Sequence, residues 1–583
     1  MSFFNDASVA VSDGMGPQAS GAHCGSTIGS DNLTASTEGR GCDAEATAMP
    51  QPHADFKENP IAYFLLIDRF SPPAQGHDAE VGKDPYHDLA TFHGGTLKAV
   101  TDKICTGWFN ALGVNVLWLS APFEQIPGWV PGGDGQFRHF AYHGYFTHDY
   151  TRLDSRFGTE DDLRELVDQA HLRGLRVILD VVINHPGYLD LATMATYMPA
   201  VLADGWQHAT PDDFHRYVDY DSAAFRDWWG PDWVRAGLPG YTAGGTDDLT
   251  MQLAGLPDFC TENSAVASLP QFLRAKPDTR AVELPGATVR DYLTEWLSWW
   301  VREFGIDGFR CDSAKHVELE TWSVLKQKAS GALAEWKTKN PHKKIDDSPF
   351  WMTGEVFGHW IERSAYFDHG FDNLINFGFQ HELDGMDLDS LFHRYAARLS
   401  GRPGYNVLSY ISSHDTHLFD RGRLREAATD LLLVPGGVQI FYGDETARPP
   451  ASAPDGDPVQ STRSAMNWAN PDKALTAHWR ILGQFRSRHL ALARGEHTTW
   501  QQEPYVFSRH DRVTDDKVIV GMDLWGEHRI QAECVFDEGE QLIDAYTGRR
   551  VRNANGSIHV DGCGLVLIER LCDHRAPFHP EIS

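Results

Sequence analysis

The stretch GIDGFRCDSAKH, Gly305 to His316, decides the fold. It places an arginine, an aspartate, a lysine and a histidine at the far end of a segment whose Ile306, Phe309 and Cys311 read as buried. In a strand, alternate residues share a face, so Arg310 and Asp312 point together while Phe309 and Cys311 point the other way. A guanidinium beside a carboxylate favours the ionised form, which is the state a nucleophile needs. A structural ion pair would look the same in this one segment, so the neighbouring segments have to decide.

Outward from it, apolar strand-like runs alternate with amphipathic helices. The runs are IAYFLLIDRF from Ile61, NVLWLS at 115–120, LRVILDVVINH at 175–185, PFWMTGE at 349–355, NVLSYISSHD at 406–415 and VQIFYGDE at 438–445. That alternation is the pattern of a parallel sheet with crossover helices. The helices carry their own punctuation: Thr159 and Asp162 stand at capping-box spacing, and Leu163, Leu166, Val167 and Ala170 form one stripe before Gly174. Leu293, Trp296, Leu297 and Trp300 repeat the plan ahead of Gly305, which makes those tryptophans core. Three further strand ends are polar: Asn184 and His185 after DVVI, Glu355 after WMTG, and His414 with Asp415 after SYISS. Four such ends on the C-terminal side of one sheet coincide with the rim where parallel barrels assemble active sites.

The composition narrows the partners. A formal charge of -30 over 583 residues excludes nucleic acid and anionic membrane surfaces and suits a neutral substrate. No run of about 18 apolar residues occurs, so no membrane span is expected. The N-terminus lacks a basic region followed by an apolar core, which reads as cytoplasmic as written, with a periplasmic or secreted location if the N-terminus has been processed or replaced. Eight scattered cysteines form no CxxC pair, which argues against structural zinc; Cys24 with Cys42, or Cys563 with Cys572, would suit bridges in an oxidising compartment, and buried free thiols are the state expected of a large protein.

Together, the four polar segments resemble the four short signature regions of the α-amylase family of (β/α)8 glycosidases, in that family's order: DVVINH, GFRCDSAKH, GEVF and SSHD. GLPDFCTEN, Gly255 to Asn263, and AYHGY, Ala141 to Tyr145, resemble two further family motifs. Within the family, FEQIPGWV, AYHGYFTHDYTRLD and YISSHDTHLF are most similar to bacterial periplasmic-type α-amylases. The resemblance implies an α/β fold: a TIM barrel with a domain B inserted after strand 3 and a C-terminal antiparallel β domain. The expected divisions are an irregular extension at 1–55, barrel at 56–185, domain B at 186–261, barrel at 262–495 and the β domain at 496–583.

The resemblance also implies roles. Asp312 would be the nucleophile, Glu355 the general acid and base, and Asp415 the third carboxylate that holds sugar hydroxyls. Arg310 would orient Asp312, His185 and His414 would hydrogen-bond the sugar, Tyr145 would stack on it with His143 beside it, and Lys315 and His316 would contact the leaving-group side. A structural calcium would be held by Asn184, Asp258 and the carbonyl of His316, oxygen donors of the kind calcium prefers.

The activity so implied is retaining, endo-acting hydrolysis of α-1,4-glucans by a protein expected to be monomeric. The same site would also serve a transglycosylase or an exo-acting maltooligosaccharide-forming enzyme. A non-catalytic carbohydrate-binding protein is the reading from another class, and the retention of all three carboxylates speaks against it. Two departures from the family pattern stand out: Ser412 and Ser413 replace the usual acidic residue and asparagine, and Cys311 replaces an aliphatic neighbour of the nucleophile. Trp129, Trp206, Trp228, Trp229 and Trp233 read either as sugar platforms or as core.

Overall fold

The computed structural model describes residues 56–71, 88–400, 404–454 and 456–571. The extension expected at 1–55 lies outside them, as do Cys24, Cys42 and Cys572. Eight parallel strands close into a barrel: β1 (Ile61–Leu65), β2 (Val116–Leu119), β3 (Arg176–Val181), β4 (Gly308–Cys311), β5 (Trp351–Gly354), β6 (Asn373–Asn376), β7 (Asn406–Ser409) and β8 (Gly437–Phe441). Each pairs with its neighbours in chain order, and β8 closes on β1. Every residue of all eight strands is buried, as expected of strands covered on both faces.

The helices form where the sequence punctuates them. Glu160–Leu172 starts with the Thr159/Asp162 capping box and is followed by Gly174 in the left-handed region. Val289–Phe304 opens on a second capping box, Thr288 with Asp291, and ends at Gly305 with φ 76°. A Cβ at Gly305 would lie 2.4 Å from the Trp336 ring, so glycine is required both by the turn and by the close approach. This stop aims the chain into β4 and so sets where Arg310 and Asp312 emerge.

The long connection between β3 and β4 carries helix Leu191–Tyr197 and a short antiparallel pair, Val234–Arg235 with Asp258–Phe259. Trp228, Trp229 and Trp233 are buried within it, while Trp129 and Trp206 are half-buried against the same core, so the five read as packing rather than as sugar platforms. Beyond the barrel, β9 (Glu496–Gln501), β10 (Val506–Asp511), β11 (Asp516–Gln531), β12 (Gln541–Asp544), β13 (Arg549–Ala554) and β14 (Ser557–Arg570) form an antiparallel sheet in the order β9-β10-β11-β14-β12-β13. Val506, Ile519, Leu542, Ile558, Val566 and Ile568 belong to a hydrophobic cluster of this sheet's own.

Cys260 and Cys311 are free and buried, as expected, whereas Cys105 is disulfide-bonded, against the expectation of free thiols. Cys534 and Cys563 are free but exposed. For Cys563 the reason is strand alternation, which puts it on the outer face of β14 with His559 and Asp561.

Candidate active site

Arg310 is the hub. It lies on β4, 1% exposed at the side chain, and its fork reaches three carboxylates. Nη1 donates to both oxygens of Asp180 at 2.9 Å and 3.0 Å and to Asp312 Oδ1 at 2.6 Å. Nη2 lies 3.0 Å from Glu355 Oε2. Alternation along β4 explains the arrangement: Arg310 turns inward, where it meets Asp180 in register on β3, and Asp312 follows on the same face at the rim.

Ser313 completes the link between the two outer carboxylates. Its backbone N–H donates to Glu355 Oε2 at 2.9 Å, and its hydroxyl donates to Asp312 Oδ2 at 2.7 Å. The Ser313 N–H bond and the Arg310 ion pair therefore both fall on one Glu355 oxygen, Oε2. Burial pushes its carboxyl up to about 8; Arg310 and the Ser313 N–H oppose this, and the charges of Asp312 and Asp415 reinforce it. Loss of solvent is the larger cause and like charge the smaller one.

Asp415 arrives from the loop after β7. Its Oδ2 lies 2.8 Å from His414 Nε2 and its Oδ1 3.0 Å from Arg463 Nη2. Burial alone would raise this carboxyl, but His414 and Arg463 outweigh it and hold Asp415 well below the usual carboxylate range. Tyr145 donates to Asp180 Oδ2 at 2.9 Å and meets His414 Nε2 at 2.8 Å. Its ring lies nearly parallel to those of His143 and His414, each 5.4 Å away centre to centre. His143 is 2% exposed and accepts from the Tyr145 backbone N–H, which places it behind Tyr145.

The remaining candidates lie along the insert. His185 Nδ1 is 3.0 Å from Asn184 Oδ1, and its carbonyl accepts from the Tyr150 hydroxyl. Lys315 Nζ pairs with Asp248 at 3.0 Å, and His316 Nδ1 lies 2.8 Å from the Asp248 carbonyl. Asn184 Nδ2 donates to Asp258 Oδ1 at 3.0 Å and to the His316 carbonyl at 3.1 Å, so the three candidate calcium ligands do converge. Asp258 Oδ2 faces the Arg235 guanidinium, 2.7 Å from Nη2. Turning the Asn184 amide over would direct its oxygen at the other two and its nitrogen at His185 Nδ1. The donor set therefore fits a cation that selects carboxylate, amide and backbone oxygens.

A second cluster, Asp389, His393 and His497, converges elsewhere. There the Thr499 hydroxyl bonds both Asp389 and His393. Arg509 Nε donates to His497 Nδ1, which leaves the ring proton on Nε2, so this cluster is a hydrogen-bond network rather than a ligand set.

Sequence reasoning missed Asp180, Ser313 and Arg463. Asp180 had a signal, since one carboxylate inside the apolar run VILDVV demands a buried counter-charge on a neighbouring strand. Arg463 comes from a separate loop and had none.

Comparison with known proteins gives a consistent picture. A family profile described as alpha amylase, catalytic domain, matches residues 51–198. The periplasmic alpha-amylase of Escherichia coli (strain K12) is 48% identical over 493 residues, covering 79% of this chain and 71% of that protein. A cyclomaltodextrinase from a Bacillus species is 26% identical over 468 residues, covering 76% and 68%. Among solved structures, the alpha-amylase of Geobacillus thermoleovorans complexed with acarbose has the same fold, with a TM-score of 0.60 at 21% identity over 88% of this chain and 99% of that one.

Proposed function

This chain belongs to the α-amylase family of glycoside hydrolases and acts on α-glucans, and from that premise we propose that it is a retaining, endo-acting α-1,4-glucan hydrolase with Asp312, Glu355 and Asp415 as its catalytic carboxylates. One observation carries the assignment: a single guanidinium holds Asp312 and Glu355 side by side, where burial pushes the Glu355 carboxyl up to about 8.

The geometry allocates the steps. Because Glu355 Oε2 accepts from the Ser313 N–H and faces the Arg310 guanidinium, its proton resides on Oε1. As Asp312 bonds to the anomeric carbon, the bond to the leaving sugar breaks and the departing oxygen takes that proton. Water then attacks the same carbon, gives its proton to Glu355 Oε1 and releases Asp312, so the α configuration is kept. Asp415, anionic between His414 and Arg463, accepts hydrogen bonds from sugar hydroxyls. Tyr145 stacks on the ring, with His185 and His414 beside it, and Lys315 and His316 lie on the leaving-group side. Phe357 and Trp360, 56% and 46% exposed on the loop that carries Glu355, offer flat faces to further glucose units. A calcium ion on Asn184, Asp258 and the His316 carbonyl would tie the insert to the barrel rim.

No helix among the described residues is long and apolar enough to cross a membrane. The E. coli relative is a periplasmic protein, which favours a periplasmic location over a cytoplasmic one. Chromatography of a maltoheptaose and soluble-starch time course tests the activity. Early maltooligosaccharides of mixed short length are expected. Accumulation of chains longer than the substrate would overturn hydrolysis in favour of transfer.

A further inference from the structure

Ser313 has φ 48°, in the left-handed region that a residue with a Cβ rarely adopts, one position beyond the proposed nucleophile. That backbone turn is what sends its N–H to Glu355 Oε2 and its hydroxyl to Asp312 Oδ2, at 2.9 Å and 2.7 Å. The two oxygens of Asp312 therefore have different partners. Oδ1 is gripped by Arg310, itself locked on Asp180, whereas Oδ2 has only a hydroxyl rotor, which leaves its remaining lone pairs free for attack.

We infer that Ser313 is a positioning residue for the second half of the reaction: its hydroxyl stabilises the charge that returns to Asp312 Oδ2 as the sugar is released. The inference rests on Asp312 being the nucleophile. In the free enzyme, and in both oxocarbenium-like transition states, Oδ2 carries negative charge and the hydrogen bond to it is strong. In the covalent intermediate that electron pair lies in the bond to the anomeric carbon, so the hydrogen bond is weak. When water attacks, the C–Oδ2 bond breaks, its electron pair returns to Oδ2, and the water proton goes to Glu355. A donor waiting at Oδ2 therefore lowers the second barrier relative to the intermediate and leaves the first nearly unchanged.

The test uses the full chain and α-maltotriosyl fluoride, whose leaving group needs no acid, with intact-protein mass spectrometry after rapid quenching. Ser313→Ala and Ser313→Gly are both expected to accumulate the maltotriosyl adduct, with its breakdown slowed about tenfold or more and fluoride release in the first turnover unchanged. Ser313→Thr, which keeps the hydroxyl, is expected to restore breakdown to within a few-fold of wild type. Adduct levels in Ser313→Ala equal to wild type would overturn the inference. So would recovery in Ser313→Gly alone, because that would assign the effect to backbone strain. Asp312→Asn is expected to form no adduct; wild-type turnover by that variant would overturn the nucleophile assignment beneath instead.

Discussion

Arg310 and Asp180 stand opposite each other in register on adjacent barrel strands, with Nη1 2.9 Å and 3.0 Å from the two carboxylate oxygens. Asp180 also accepts from Trp118 Nε1 at 3.3 Å and from the Tyr145 hydroxyl, so it is enclosed by donors and has no direct role toward substrate. Burial pushes its carboxyl up to about 7, and Arg310 opposes the rise. Asp180 thus anchors the guanidinium that aligns the two proposed catalytic carboxylates.

Replacing Asp180 by Asn leaves Arg310 with one fewer buried counter-charge. Breaking a buried pair in this way costs about 3–5 kcal/mol. Asp180→Asn should therefore lower both the melting temperature and kcat, with a smaller change in KM, as read by calorimetry and steady-state kinetics on maltoheptaose.

The raised Glu355 value gives two linked expectations. As the proposed general acid it must carry its proton, so kcat/KM should be sustained below about pH 8 and fall above it. Its folded value lies above the ordinary 4.5, so the native state binds the proton more tightly than the unfolded chain. The wild type therefore loses stability on this account as pH rises from about 4.5 to about 8. Glu355→Gln, which removes that ionisation, should be inactive yet more stable than wild type by on the order of 2–3 kcal/mol near neutrality. The gap should close at low pH, as thermal melts across pH would show.

Asp415 is held well below its ordinary range by His414 and Arg463 against the effect of burial, so the wild type should keep this carboxylate anionic as the medium is acidified. Arg463→Gln removes the guanidinium and leaves Asp415 with His414, whose imidazole burial holds below its ordinary value. The acid limb of kcat/KM should then move to higher pH and activity should fall about tenfold, the scale of one charge-assisted hydrogen bond. Coincident acid limbs in the two proteins would refute the role given to Arg463.

If calcium occupies the oxygens of Asn184, Asp258 and His316, a chelator should lower the melting temperature and added calcium should restore it. Asp258→Asn should start lower and lose the response to both. Equal melts with chelator and with calcium in the wild type would count against calcium there.

Much of this was legible because burial and charge conflict openly in the sequence. GFRCDSAKH, GEVF and SSHD each put an ionisable group at the end of an apolar run, and the structure brings those groups to one rim. Seven of the eight barrel strands stood out as apolar runs. The exception is β6, NLIN, four residues bounded by asparagines that are buried within the fold, so its two apolar residues form no pattern of their own. Ser313 was invisible for another reason: its importance lies in a left-handed backbone that no residue type announces. Arg463 reaches Asp415 from a loop far along the chain, and only tertiary structure joins them.

Proton NMR of maltoheptaose hydrolysis, followed from the first minutes with wild type, Asp312→Asn and Glu355→Gln in parallel, tests the shared role of Asp312 and Glu355 most directly. The wild type should release α-anomers before mutarotation, and both variants should fall by several orders of magnitude. First-formed β-anomers, or either variant working at the wild-type rate, would contradict it.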